Sequence, residues 1–291
     1  DVYKRQLPHT GETSAAELTH THPHDHSPTQ KRTPHAEEKI RWHVYTDGSW
    51  EGEEREGAAH NAGGERPPPA GYGAAEIDSD AAAYGDNAKR HVATEIPLAQ
   101  LTQSGSDDAN GSTGTLTWVM AGEVQTDEME DDYIGAPGHT NNTGELTALA
   151  YALKRAIRRE GTNERTRIYT DSLYAKNMTT GRWMPRRKHR NARLIGHLRR
   201  LWRRAQTQQP GQVDIVHVRS HTGVPGNEIA DWLADCGAKG GSRTSGDTRS
   251  SVSLQRAERW IREWLQQQQK RPGDATTRGQ PEDGELHPHG G

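Results

Sequence analysis

Apolar and polar positions alternate in two distinct periods along the middle of this chain. Residues 41–46 are rich in β-formers and predict a strand that runs into a turn at Asp47-Gly48. Residues 71–77 predict a second strand and 116–120 a third, with 91–101 as a candidate extra strand between them. The period then changes. Leu146, Leu149, Ala150, Leu153, Ala156 and Ile157 fall on one side of a helix over 142–159. A short strand at 166–170, a short helix at 172–180, a basic helix at 192–206, an alternating strand at 213–218 and a helix at 227–238 follow. Three successive strands predict an antiparallel meander, and the later strand–helix–strand connection predicts parallel pairing, so the sheet is expected to be mixed. Beyond a linker, Leu254, Ala257, Ile261, Trp264 and Leu265 sit at helical spacing within 253–269. Such a helix either docks on its own domain or offers its face to a partner, and the first is favoured.

Composition limits how much of the chain can fold. Of 291 residues only 30% are hydrophobic, Phe is absent and mean hydropathy is -1.06. That is too little apolar surface for a core along the whole length. One domain is expected at 40–239, with an acidic low-complexity insertion at about 79–114. A polar arm at 1–39, a linker at 240–252, a C-terminal helix at 253–270 and a disordered tail at 271–291 complete the chain. The arm's His20, His22, His24 and His26 lack a scaffold that would make them a metal site. Residues 1–6 lack an initiator Met and read as translated sequencing adapter, so they are set aside as an artefact.

A single cysteine, Cys236, excludes an internal disulfide and fits an intracellular compartment. No run of about 18 apolar residues is present to span a membrane as a helix. Net charge is only -3, but it is unevenly placed. Residues 151–210 hold 17 Lys and Arg against 3 acids, and 51–140 hold 18 acids against 4 basic residues. Fields this local point to an interaction with nucleic acid.

Four motifs place acids where a strand or helix would present them. They are Thr46-Asp47-Gly48-Ser49, Asn141-Asn142-Thr143-Gly144-Glu145, Tyr169-Thr170-Asp171-Ser172, and His221 through Asn227-Glu228-Ile229-Ala230-Asp231. Each is weak alone, but in this order they resemble the ribonuclease H type 1 family over about 41–239. The resemblance implies an α/β ribonuclease H-like fold, a five-stranded mixed β-sheet flanked by α-helices. It implies that Asp47 lies on the central strand, Asp171 on its parallel neighbour, and Glu145 and Asp231 on helices. Carboxylates that close cannot all stay ionised without counter-charge, and hard oxygen ligands favour Mg²⁺ or Mn²⁺ over zinc. By resemblance, two Mg²⁺ ions roughly 3.5–4 Å apart, with Mn²⁺ able to substitute, would activate water and stabilise the leaving 3′ oxygen. Asp47 would bridge them, Asp231 would help hold the ion that activates water, and Glu145 and Asp171 would hold the other. The implied reaction is endonucleolytic hydrolysis of the RNA strand of an RNA–DNA hybrid, leaving 5′-phosphate and 3′-hydroxyl ends.

The resemblance extends to further residues. His221 matches a mobile-loop histidine with a role in proton transfer or product release, although Arg219-Ser220 stand where Gly is more usual. Asn141 matches the residue that tests the 2′-hydroxyl, with Asn142 a weaker second candidate. Thr140 matches a DNA-phosphate contact. Asn227 matches a position at the start of the last helix, where an N-cap role is an equal alternative. Residues 181–190 fall where many family members insert a substrate-binding handle. Here the handle is shortened, leaving Arg186, Arg187 and Lys188 as candidate phosphate contacts and Trp183 as a candidate for stacking or core packing. A monomer is expected. Two other readings stay open: the nuclease domain of a retroelement polyprotein, and a catalytically silent hybrid-binding module. A transposase or resolvase of the same broad fold would lack the Asn-Asn-x-x-Glu helix and the His-x₅-Asn-x₃-Asp ending.

Overall fold

The computed structural model describes residues 40–52, 68–79, 95–97, 113–186, 188–240 and 251–270. The arm at 1–39, most of the insertion at 79–114, most of the linker, the tail at 271–291 and Arg187 lie outside them.

Five substantial strands form a mixed sheet: β1 (Ile40–Trp50), β2 (Ala70–Asp78), β4 (Thr113–Glu123), β5 (Arg165–Thr170) and β6 (Val213–His217). A sixth, three-residue strand, β3 (Glu95–Pro97), adds to the edge within the 91–101 segment. The order is β3-β4-β2-β1-β5-β6. The first four form an antiparallel set, and β5 and β6 join parallel to β1. The sheet is therefore mixed as its connections predicted.

Side chains that alternate along β1 feed two cores. Val44 packs with Ile168, Leu146, Leu149 and Leu153 under α1 (Asn141–Ile157) and α3 (Ala192–Gln208). Tyr45 faces the other way, toward Ile229 and Leu233 of α4 (Pro225–Lys239). That second core is extended by α5 (Leu254–Lys270), whose Ala257 and Ile261 are fully buried. Trp260 stacks on Trp232 of α4 at 5.0 Å. The C-terminal helix thus docks on its own domain. The remaining helix, α2 (Leu173–Thr180), is capped by Ser172 and ends at Gly181 in the left-handed region.

Two glycines set how close the acid-bearing helices come to the sheet. Gly48 does not open a turn: β1 continues through it to Trp50, and Gly48 pairs with Tyr72. A Cβ there would sit 2.2 Å from the Glu145 backbone nitrogen. On the opposite face a Cβ on Gly73 would sit 2.2 Å from the Ala230 carbonyl oxygen, next to Asp231. Gly73 is also the β2 partner of Asp47. A bare backbone at both positions lets α1 and α4 approach one end of β1 from opposite faces.

Candidate active site

The four motif acids converge on a cleft of about 340 Å³ lined by Asp47, Gly48, Ser49, Trp50, Asn141, Glu145, Asp171, Ser220, His221 and Asp231. Register explains the first pairing. Thr46 and Thr170 are parallel partners, so Asp47 and Asp171 follow side by side at the ends of that pairing. Each of Asp47, Glu145 and Asp171 places a carboxylate oxygen within 4.8 Å of the other two. Asp231 lines the same cleft but groups with His221 and Glu228, again with donor atoms within 4.8 Å.

These acids are held with little counter-charge. Asp47 is 5% exposed, and one of its oxygens accepts from the Gly48 backbone N–H at 2.7 Å. Glu145 is 6% exposed and receives a long contact from Asn141 Nδ2 at 3.5 Å. Its Oε2, and Oδ1 of Asp171, are buried without a hydrogen-bond partner. Burial pushes the Asp47 carboxyl well above the usual carboxylate range, and the Asp171 and Asp231 charges push it further. Glu145 moves the same way through burial and then Asp47. Asp171 and Asp231 are also raised, each chiefly by burial. Clustered, desolvated oxygens with unused lone pairs are a donor set suited to a hard divalent cation.

His221 stands 73% exposed at the cleft mouth, with Nδ1 3.9 Å from Asp231 Oδ2. Its φ of 51° is the only positive value among the described non-glycine residues. A branch-free Gly223 at φ 77° follows, and its N–H donates to Glu228 Oε1 at 3.1 Å. Glu228 therefore ties the histidine loop to α4.

The structure sorts the remaining candidates. Asn141 is exposed in the cleft lining, whereas Asn142 does not line it. Thr140 is the N-cap of α1 and forms a capping box with Thr143. Asn227 is not an N-cap. Val224 holds that position with Pro225 after it, because the helix begins two residues earlier than its polar pattern suggested. Asn227 is buried instead, faces Asp171 and helps hold that carboxyl down, short of a formed hydrogen bond. Trp183 is half-buried against the core under α1 and α3, so packing is the role visible for it. Arg186 and Lys188 are exposed in the turn between α2 and α3.

Two groups escaped the motif reading. Asp235 lies one helical turn past Asp231, accepts from Ser49 Oγ, and adds to the upward pressure on both Asp47 and Asp231. Its i, i+4 spacing from Asp231 was the available signal. His217 ends β6 with Nε2 3.0 Å from the Asp171 carbonyl oxygen, a contact that only strand register creates.

The RNase H family profile matches residues 103–239. Ribonuclease H of Cupriavidus necator is 36% identical over 149 residues, covering 49% of this chain and 97% of that protein. The chain belongs to the ribonuclease H family. Ribonuclease H of Dichelobacter nodosus is 42% identical over 145 residues, covering 48% of this chain and 91% of that protein. Among solved structures, RNase H1 of Halobacterium salinarum is 22% identical with a TM-score of 0.36, over 69% of this chain and 99% of that one. Both ribonuclease H relatives align with about half of this chain, so the other half is additional to what they share with it.

Proposed function

We propose that this ribonuclease H is an endoribonuclease that hydrolyses the RNA strand of an RNA–DNA hybrid, leaving 5′-phosphate and 3′-hydroxyl ends. The observation that carries the reading is the cleft in which Asp47, Glu145 and Asp171 crowd together with buried oxygens left unpartnered. That donor set fits Mg²⁺, with Mn²⁺ as a substitute, and Asp47, Glu145, Asp171 and Asp231 would hold two such ions. When bound, the ions supply Lewis-acid stabilisation of the attacking and leaving oxygens.

The chain's own groups do the rest. Asp47 sits with Glu145 and Asp171 and also feels the charge of Asp231, so it is the carboxylate suited to serve both sides of the cleft. Hydrolysis replaces the P–O3′ bond by a bond from phosphorus to the water oxygen. A proton leaves the water and another reaches the 3′ oxygen. His221, exposed beside Asp231, is positioned to carry a proton between the cleft mouth and solvent. Asn141 offers an amide at the cleft edge to a 2′-hydroxyl, which distinguishes the RNA strand. Arg186, Arg187 and Lys188 would contact phosphates from the short α2–α3 turn, and the enzyme would act as a monomer. No helix among the described residues is long and apolar enough to cross a membrane.

A cleavage assay on matched RNA–DNA, RNA–RNA and DNA–DNA duplexes, with Mg²⁺ and with EDTA, tests the reading. Only the hybrid should be cut, only on its RNA strand, and only with the ion present. Equal cutting of RNA–RNA, or cutting in EDTA, would refute it.

A further inference from the structure

The 17 cations between 151 and 210 do not all serve the same purpose. Arg155 and Arg159 are engaged internally with Glu76, Arg167 with Asp214, and Arg193 with Glu128. Arg199 donates to the carbonyls of Met178 at 2.8 Å and Trp183 at 2.6 Å. Twelve cations remain outside these pairings, and three of them, Arg200, Arg203 and Arg204, lie together on α3. That helix carries five arginines and no acid. Leu194, Ile195, Leu198 and Ala205 bury one side of it, and Arg200, Arg203 and Arg204 stand exposed on the other.

Among the described residues none of these three pairs with a carboxylate. Arg203 Nε donates to the Arg199 carbonyl and Arg204 Nε to Gln208 Oε1, while Glu160 accepts from Gln208 rather than from an arginine. Like charges at i, i+3 and i, i+4 weaken a helix, so this arrangement works against local stability. The concentration of charge reaches the neighbours. His197, half-buried with Nε2 unpartnered, is pushed down to about 4 by burial and then by Lys154 and Arg200.

The stripe also has a direction. Helices α3 and α1 lie side by side, with Arg193 beside Glu128 and the Tyr133 ring at one end. At the other end Gln209 Nε2 reaches the Ala156 carbonyl at 3.2 Å. Gly138, three residues before Asn141, lies against Arg190 just before α3, so the first end is that of Asn141 and Glu145, which line the cleft. Arg200 to Arg204 lie about 11–17 Å beyond Arg193 along α3, at about 1.5 Å per residue.

We propose that Arg200, Arg203 and Arg204 form a second nucleic-acid surface, which binds the phosphate backbone of duplex lying beyond the cleft. The proposal rests on the hybrid-nuclease reading and adds a dependence on substrate length. Backbone contacts release condensed counterions, so each lost arginine lowers the salt dependence of binding by about one.

The test uses the full chain carrying Asp47→Asn, in EDTA, with hybrids of about 8 and about 24 base pairs, bracketing the reach of the stripe. Adding R200Q, R203Q and R204Q together should weaken binding of the long hybrid about tenfold near 0.1 M salt and lower its salt slope by about 2–3. The short hybrid should bind as before. An unchanged slope on the long hybrid would overturn the proposal, and so would equal loss on both lengths. Thermal melting reports whether the triple variant folds; if it does not, R203Q alone should lower the long-hybrid slope by about one. Failure of the parent to bind either hybrid would instead count against the hybrid-nuclease reading.

Discussion

Two buried acids on neighbouring strands of this sheet meet opposite fates. Glu76, near the C-terminal end of β2, is fully buried, yet its carboxyl sits below its ordinary value. Burial pushes it up, but Arg155 in the last turn of α1 and Arg159 just beyond that helix outweigh the push. Arg155 donates to both oxygens at 3.0 and 3.2 Å, Arg159 Nη1 lies 2.6 Å from Oε2, and Thr117 donates to Oε1 at 2.8 Å. Asp47, on the adjacent β1, is almost as buried, but its neighbours are acids, and its carboxyl is pushed up. One helix and the turn after it supply both environments: Arg155 from the last turn of α1 and Arg159 from the following turn to Glu76, and a glutamate from the N-terminal end of α1 to Asp47. The contrast teaches that the fold can neutralise a buried carboxylate and that it leaves the cleft acids without such neutralisation. A cation from outside is what those acids lack.

The largest break in this contrast is Asp47→Asn. It should abolish cleavage while a gel-shift assay shows hybrid binding retained; Mg²⁺-dependent turnover by this variant would remove Asp47 from the mechanism. On the paired side, Arg159→Met should leave Glu76 underneutralised and cost about 3 kcal/mol of stability in denaturant unfolding. An unchanged midpoint would mean that Arg155 alone suffices.

The two environments also predict opposite pH responses. The cleft carboxyls have folded pKa values raised above their unfolded ones, so their contribution is fully present at low pH and is lost as pH rises through the folded values. Glu76 is lowered, so its contribution is present above the usual carboxylate pKa and is lost as pH falls through the folded value. Metal-free protein should therefore gain thermal stability between pH 7 and about 5, then lose it below about pH 4. Saturating Mg²⁺ should raise the melting temperature at pH 7 and flatten the gain toward pH 5. The smallest effect is expected from Asp235→Asn. Removing one charge a helical turn from Asp231 should weaken Mg²⁺ binding about threefold by calorimetry, with folding unchanged. An unchanged affinity would show that Asp235 is not felt in the cleft.

Much of this was legible in the residues. The order of strands and helices, the mixed sheet, the four acids and the C-terminal helix all follow from period and motif. Boundaries moved where tertiary contacts overrode local signals. Gly48 reads as a turn glycine because Asp-Gly favours turns, but β1 extends through it against α1. For Asn227 a helix cap is an equal alternative to the family position, but Val224 and Pro225 start α4 earlier and bury the amide beside Asp171.

By itself, the sequence determined which groups can do chemistry, because side-chain type and spacing are local properties. It also determined the excess of basic charge between 151 and 210. Only the tertiary structure decided which charges meet. Glu76 found two arginines, Asp47 found acids, Asp235 found Ser49, and Arg200, Arg203 and Arg204 found no carboxylate among the described residues. The reason is physical: a pKa or a binding face depends on through-space distance and desolvation, which strand register and glycine-permitted helix approach set across long stretches of chain.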